Sequence, residues 1–192
     1  MKGWRKIIVY IATSAARRRC RMVKSSAAHR RLRHARVLRM IDTILWGRKT
    51  YDWVLDYYEK RGRKGRMFDT KLANYVFSRN APKRETPGVE FVSEPVKAFA
   101  QRLRATPGKH IWMMGGGELI ASFLDAGEID EFDIHVIPTL IGEGIPLMAP
   151  RHRDVPLRLR SARKYSDSVV RLRYEVVRKA NRHTWWSAET TG

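Results

Sequence analysis

The chain has one cysteine, Cys20, so it can form no intramolecular disulfide and no cysteine-rich zinc site. A lone thiol fits a reducing compartment, and a cytoplasmic location is expected. No acidic residue precedes Asp42. No apolar run nears the roughly 20 residues of a membrane-spanning helix, so no membrane partner is expected. The GxGxxG spacing of a dinucleotide fingerprint is missing. The six histidines show no metal-ligand spacing, and no metal is expected. The opening MKGWRKIIVYIATSAARRR imitates a signal peptide. Its apolar run, Ile7–Ala12, is too short for one and arginines crowd the would-be cleavage position, so it reads as a first strand.

What is present is charge, unevenly placed. The 192 residues carry a net charge of +20 and are 43% hydrophobic, enough for one domain with a substantial core. Residues 1–40 hold 13 Lys/Arg and no acid, and residues 151–192 hold 11 basic and 4 acidic side chains. The middle, 41–150, carries 15 of each and is neutral. An excess confined to the two ends supports non-specific binding to nucleic acid at most.

The stretch Ile111–Leu124, IWMMGGGELIASFL, is the most informative. Three glycines follow a short apolar run, and Leu119, Ile120, Phe123 and Leu124 then fall on one helical face. That predicts strand, glycine turn and helix. Backbone without a Cβ can approach a bound group closely, and the first N–H groups of a helix suit a phosphate. The plainer alternative is a tight turn with no ligand.

Elsewhere, Arg5–Thr13 predicts a strand buried on both faces. Ile41–Trp46 predicts a second strand, Gly47–Thr50 a turn, and Tyr51, Val54, Leu55 and Tyr58 the inner face of a helix. Residues 59–68 read as a mobile basic loop. Ala73–Ser78 and Val89–Val92 predict strands, and Pro95 opens a helix carrying Val96, Phe99, Ala100 and Leu103. Gly127 closes the helix after the glycines. Ile129–Pro138 predicts a strand, with Asp130 and Glu131, like Glu118, at the surface. Leu140–Met148 reads as a glycine-rich loop. Leu157–Ser166 and Val169–Arg178 predict an antiparallel hairpin, and 181–192 a frayed tail beyond a single domain of 1–180.

Three segments, ILWGRKTYD, NYVFSRNAP and IWMMGGGELIASFLDAGEIDEFDIHVIPTLIGEGIPLM, stand in the order and spacing of the dihydrofolate reductase superfamily. The chain resembles its branch related to the reductase domain of riboflavin biosynthesis, the RibD C-terminal type, over residues 4–14 and 37–178. The resemblance implies an α/β fold with three α-β-α layers, a mostly parallel central sheet and a C-terminal antiparallel hairpin. It implies NADPH as cofactor and a small-molecule substrate of pyrimidine or pterin type. It implies that Gly47, Arg48 and Thr50 hold the cofactor's phosphates, and that Ser78 and Arg79 hold its 2′-phosphate end. Gly115, Gly116, Gly117, Glu118 and Leu119 match the turn at the pyrophosphate and nicotinamide. An arginine fork grips a phosphate bidentately, and a threonine at a helix start can donate to one while capping. Arg48 and Arg79 as solvated surface charges, and Thr50 as a cap alone, are the alternatives. No catalytic residue is assigned. A homodimer is an open expectation.

The chain departs from the family between 15 and 36. Ser14 is followed by Ala15, Ala16 and Arg17, where the family has a Ser-x-Asp-Gly-like turn. The stretch holds nine basic residues, eight of them arginine, and no acid or glycine. The carboxylate that folate reducers carry before the second strand is missing. Codons for Asp-Gly and Asp-Tyr-Gly, preceded by C and read one base early, can give Arg-Arg and Arg-Leu-Arg, and residues 31–33 are Arg31-Leu32-Arg33. A reading frame shifted between about Ala15 and Val37 is therefore expected; a basic insertion that binds RNA or an acidic partner is the alternative. The expected function is an NADPH-dependent reductase resembling 5-amino-6-(5-phosphoribosylamino)uracil reductase, its activity impaired by this segment. A pterin reductase and a nucleic-acid-binding protein are the alternatives.

Overall fold

The computed structural model describes residues 4–14, 18–19, 37–62, 71–80, 86–140, 144–151 and 154–178. Apart from residues 18–19, the basic stretch 15–36 lies outside these, as do 63–68 of the expected basic loop, 141–143 of the glycine-rich loop and the tail from 179.

Among the described residues, ten strands form one sheet. They are β1 (Ile7–Ser14), β2 (Arg18–Arg19), β3 (Ile41–Gly47), β4 (Ala73–Phe77), β5 (Val89–Val92), β6 (His110–Gly115), β7 (Glu131–Ile137), β8 (Ile145–Pro146), β9 (Leu157–Lys164) and β10 (Val170–Val176). Eight lie in the order β5-β4-β3-β6-β1-β7-β10-β9, with β2 pairing both β1 and β8. From β5 to β7 all neighbours are parallel, and β10 and β9 close the sheet as an antiparallel hairpin. The α/β fold with a C-terminal hairpin is as the resemblance implies. The hairpin turn is closed by Tyr165 N–H donating to Val169 O at 2.9 Å, with Ser168 at a positive φ of 62°.

Three helices are labelled: α1 (Arg48–Glu59), α2 (Val96–Ala105) and α3 (Gly117–Asp125). Residues 37–40 are also helical. Two apolar clusters separate the layers. On one face Tyr51 and Val54 of α1 pack with Ile44, Trp46, Val76 and Trp112. On the other, Phe99, Ala100 and Leu103 of α2 and Leu119, Ile120 and Phe123 of α3 pack over Val9, Leu45, Ile111 and Met113. α1 therefore lies on one side of the sheet, and α2 and α3 on the other. Of the helix-period residues named from the sequence, Tyr51, Val54, Phe99, Ala100, Leu103, Leu119, Ile120 and Phe123 are buried, and Leu55, Tyr58, Val96 and Leu124 are half-buried against the clusters. α3 ends as its sequence predicts: Gly127 takes φ 71°, its N–H donates to Leu124 O, and Glu128 N–H reaches back to Phe123 O at 2.9 Å.

Two expectations fail. Asp130 and Glu131 are not surface residues. Asp130 accepts from Ile7 N–H at 2.8 Å and from Arg104 and Arg178, both at 2.7 Å. Glu131 is bound by Lys6 and Arg173 and is 9% exposed. These carboxylates are buried because cations from three other segments satisfy them, which single-strand alternation cannot reveal. Nor does a turn separate Gly47 from its helix: Gly47 ends β3 and Arg48 begins α1.

Candidate functional site

β3 and β6 are neighbours, and the chain leaves them for opposite faces: β3 runs into α1, β6 into α3. A crevice at the carboxyl ends of such strands is where open α/β sheets take ligands. Gly47 is the N-cap of α1 and Gly116 the N-cap of α3, both with extended backbone and without a side-chain cap. The two touch. A Cβ built on Gly47 would lie 3.1 Å from Gly116 N and 3.3 Å from Gly115 O. Two helix N-termini, each with its positive dipole end, are thus set side by side.

The sequence explains this closeness. Gly115 adopts φ 98°, where a side chain is strained. Gly117 begins α3 with Met148 and Ala149 backbone 3.2–3.3 Å from where a Cβ would stand, and its carbonyl accepts from Ala149 N–H. The first bond of α3 runs from Ile120 N–H to Gly116 O, so the N–H groups of Gly117, Glu118 and Leu119 are those without a partner inside the helix.

Side chains here divide. Leu119 is buried in the core cluster, so only its backbone is available to a ligand. Glu118 pairs with Arg151 at 3.0 Å on the surface. Thr50 is the third residue of α1; Gly47 holds the cap position, so the capping reading of Thr50 is replaced. Arg48 arches from α1 to the neighbouring strands. Its Nη1 donates to Ser78 Oγ at 3.4 Å, and its guanidinium carbon stands 5.5 Å from the centre of the Phe91 ring. Ser78 Oγ donates to Asn80 O at 2.7 Å. Arg79 is exposed. The register explains the gathering: Gly47 pairs with Phe77, one residue before Ser78, and Trp46 with Gly115. All ten residues singled out from the sequence lie near the carboxyl ends of β3, β4 and β6. Sequence reading missed Asp52 and Phe91. The Arg48–Asp52 spacing of four was a readable signal, whereas Phe91 had none.

A cavity of about 320 Å³ lies at the opposite edge, lined by Arg5, Asp42, Thr43 and Tyr75 among others. Its arginine is structural. Arg5 spends all five N–H groups: Nε on Lys109 O, Nη1 on Leu103 O and Thr106 Oγ1, and Nη2 on Asp42 and Thr43 Oγ1. Burial would raise the Asp42 pKa, but Lys109 N–H, the Thr43 hydroxyl and Arg5 outweigh it and hold the carboxyl below its usual range. Among the described residues no group of three or more His, Cys, Asp or Glu could hold a metal, and no helix is long and apolar enough to cross a membrane.

Residues 10–171 match the RibD C-terminal domain family. The chain belongs to that family. The chain is 33% identical over 142 residues to the uncharacterized protein YyaP of Bacillus subtilis (strain 168), covering 71% of this chain and 75% of that protein. Among solved structures, the RibD C-terminal fold seen here is similar to a candidate riboflavin biosynthesis protein from Shewanella sp. PV-4. The TM-score is 0.67 at 20% identity, over 90% of this chain and 99% of that one. It is also similar to a diaminohydroxyphosphoribosylaminopyrimidine deaminase/5-amino-6-(5-phosphoribosylamino)uracil reductase from Thermotoga maritima. There the TM-score is 0.64 at 14% identity, over 91% of this chain and 57% of that one.

Proposed function

We propose that the chain is an NADPH-dependent reductase of the riboflavin-pathway type, acting on a small pyrimidine like that of 5-amino-6-(5-phosphoribosylamino)uracil reductase. One observation carries the cofactor reading: the adjoining N-caps Gly47 and Gly116, on neighbouring strands whose helices leave to opposite faces. The residues present fit such a group. The crevice is bare of side chains where a pyrophosphate needs backbone N–H groups, and Arg48 beside Ser78 supplies the charge a 2′-phosphate needs. NADPH, when bound, supplies the hydride; the chain's own part is to bind, orient and exclude water.

The pyrimidine reading is favoured over a pterin one by the helical residues before β3. They are Val37, Leu38, Arg39 and Met40, without a carboxylate to face a pterin ring. Family membership supports the same choice. A nucleic-acid role rests only on the charge of the ends, and no arrangement of described residues favours it.

The test is binding of NADPH to the wild type and to Arg48→Ala. The variant should lose about 1–3 kcal/mol, the range for a charge-assisted hydrogen bond. A loss below about 0.5 kcal/mol returns Arg48 to a surface charge.

A further inference from the structure

Arg48 is held from three sides. Its Nε donates to both carboxylate oxygens of Asp52, at 2.8 and 2.9 Å, one helical turn along α1. Its Nη1 reaches Ser78 Oγ beyond the end of β4, and its guanidinium lies over Phe91 of β5. An exposed Arg–Asp pair four apart on a helix ordinarily contributes little. Here the pair does something geometric. The arginine side chain is only 22% exposed, and the carboxylate that takes Nε is 48% exposed. With Nε committed to Asp52, Nη1 turned toward Ser78 and the Phe91 ring 5.5 Å from the guanidinium carbon, the fork is held in one orientation. An arginine's strength toward phosphate lies in presenting its planar fork already aligned.

We propose that Asp52 is a positioning residue for Arg48, and that by aligning it Asp52 sets the preference for a dinucleotide bearing a 2′-phosphate over one without. This rests on reading the carboxyl-edge crevice as the NADPH site. Asp52 contributes through Arg48. Its negative charge by itself opposes a nearby phosphate, so alignment and charge pull in opposite directions and the sign of the effect is informative. Phe91 acts in the same sense, its ring standing against the guanidinium.

The experiment measures dissociation constants of NADPH and NADH for the wild type, Asp52→Ala, Asp52→Glu, Arg48→Ala and the Arg48→Ala/Asp52→Ala double variant. Asp52→Ala should weaken NADPH by about three- to tenfold while moving NADH by less than about twofold. Asp52→Glu keeps a carboxylate within reach of Nε and should restore NADPH to within about twofold of wild type. The double variant should bind NADPH no more weakly than Arg48→Ala alone, because Asp52 acts through the arginine. Unchanged or tighter NADPH binding by Asp52→Ala overturns the proposal, and so does an equal loss of both dinucleotides. If Arg48→Ala weakens NADPH and Asp52→Ala does not, only the positioning role fails. If Arg48→Ala leaves NADPH unchanged, the cofactor site itself is misread and both fall together.

Discussion

Gly47 and Gly116 face one another so closely that a methyl group on Gly47 would meet the Gly116 nitrogen at 3.1 Å. The atoms it would meet are backbone, which cannot swing aside as a side chain end can. Gly47→Ala is therefore expected to push β3 and β6 apart at their carboxyl ends by a few tenths of an ångström. The expected cost is about 1–3 kcal/mol of stability, the range for overpacking. NADPH affinity should fall as well, since the two N-caps separate. Denaturant unfolding and cofactor titration of the same variant check both. A variant with wild-type stability and affinity would mean that the crevice is not built on this contact.

Arg5→Met tests the joint at the other edge. The substitution leaves Asp42, Thr43 and the carbonyls of Leu103 and Lys109 without their common donor. Breaking a fully buried pair costs about 3–5 kcal/mol, and because the Asp42 side chain is 34% exposed the loss here should fall below that range. Because the joint lies at the amino ends of the strands, the NADPH dissociation constant of the folded fraction should stay near wild type. A large loss of affinity without a loss of stability would contradict this separation of roles.

Much of this was legible in the sequence, and the failures have a common cause. Strand and helix positions follow from local periodicity, and the glycine stretch at 115–117 carries its own turn chemistry, so these were readable. The local pattern places Asp130 and Glu131 at the surface because their partners Lys6, Arg104, Arg173 and Arg178 are far away along the chain. Asp133 of β7 is buried for the same reason: it is 5% exposed, and Arg171 from β10 pairs with it. Arg48 was assigned by motif, but its support from Phe91 depends on β5 lying two strands from β3, which no local pattern encodes.

Acid should unfold the chain through identifiable groups. Burial raises the pKa of Glu131, but Lys6 and Arg173 outweigh it, and the net shift is downward, as for Asp42. The unfolded values are about 4.3 and 3.9. Above them the unfolded and folded chains are equally ionised at these sites, and the stabilisation is fully present. As pH falls through the lower folded values, it is lost. His110 is lowered first by burial and then by Lys6, so stability also falls as pH drops below about 6.5, where the unfolded imidazole binds the proton more readily. Melting temperature should decline from pH 7 toward pH 5 and steepen below about pH 4. His110→Asn should flatten the first part and Asp42→Asn the second; an unaltered profile in either variant would remove that group from the account.

The basic stretch 15–36 should limit turnover more than binding. The segments proposed to hold the cofactor lie at 47–50, 78–79 and 115–119, within the neutral centre of the chain. The stretch expected to cover the nicotinamide lacks the Asp-Gly turn of the family. Misplacement by an ångström can cost about 10²-fold in rate. Restoring the family-like frame across 15–36 is expected to raise turnover far more than it changes NADPH affinity. Equal turnover in both forms would mean that the basic stretch is a working substitute, and translation of the gene in all frames across these codons would show whether a slip occurred.

The central claim is that the crevice at the carboxyl ends of β3, β4 and β6 binds NADPH. Calorimetric titration of the intact chain with NADPH and NADH tests it most directly. The account predicts saturable binding of one NADPH per chain, tighter than NADH by at least about tenfold, as expected for a phosphate held by an aligned arginine. Equal affinity for the two dinucleotides would remove Arg48, Ser78 and Arg79 from any role at a 2′-phosphate, and no binding of either would contradict the account as a whole.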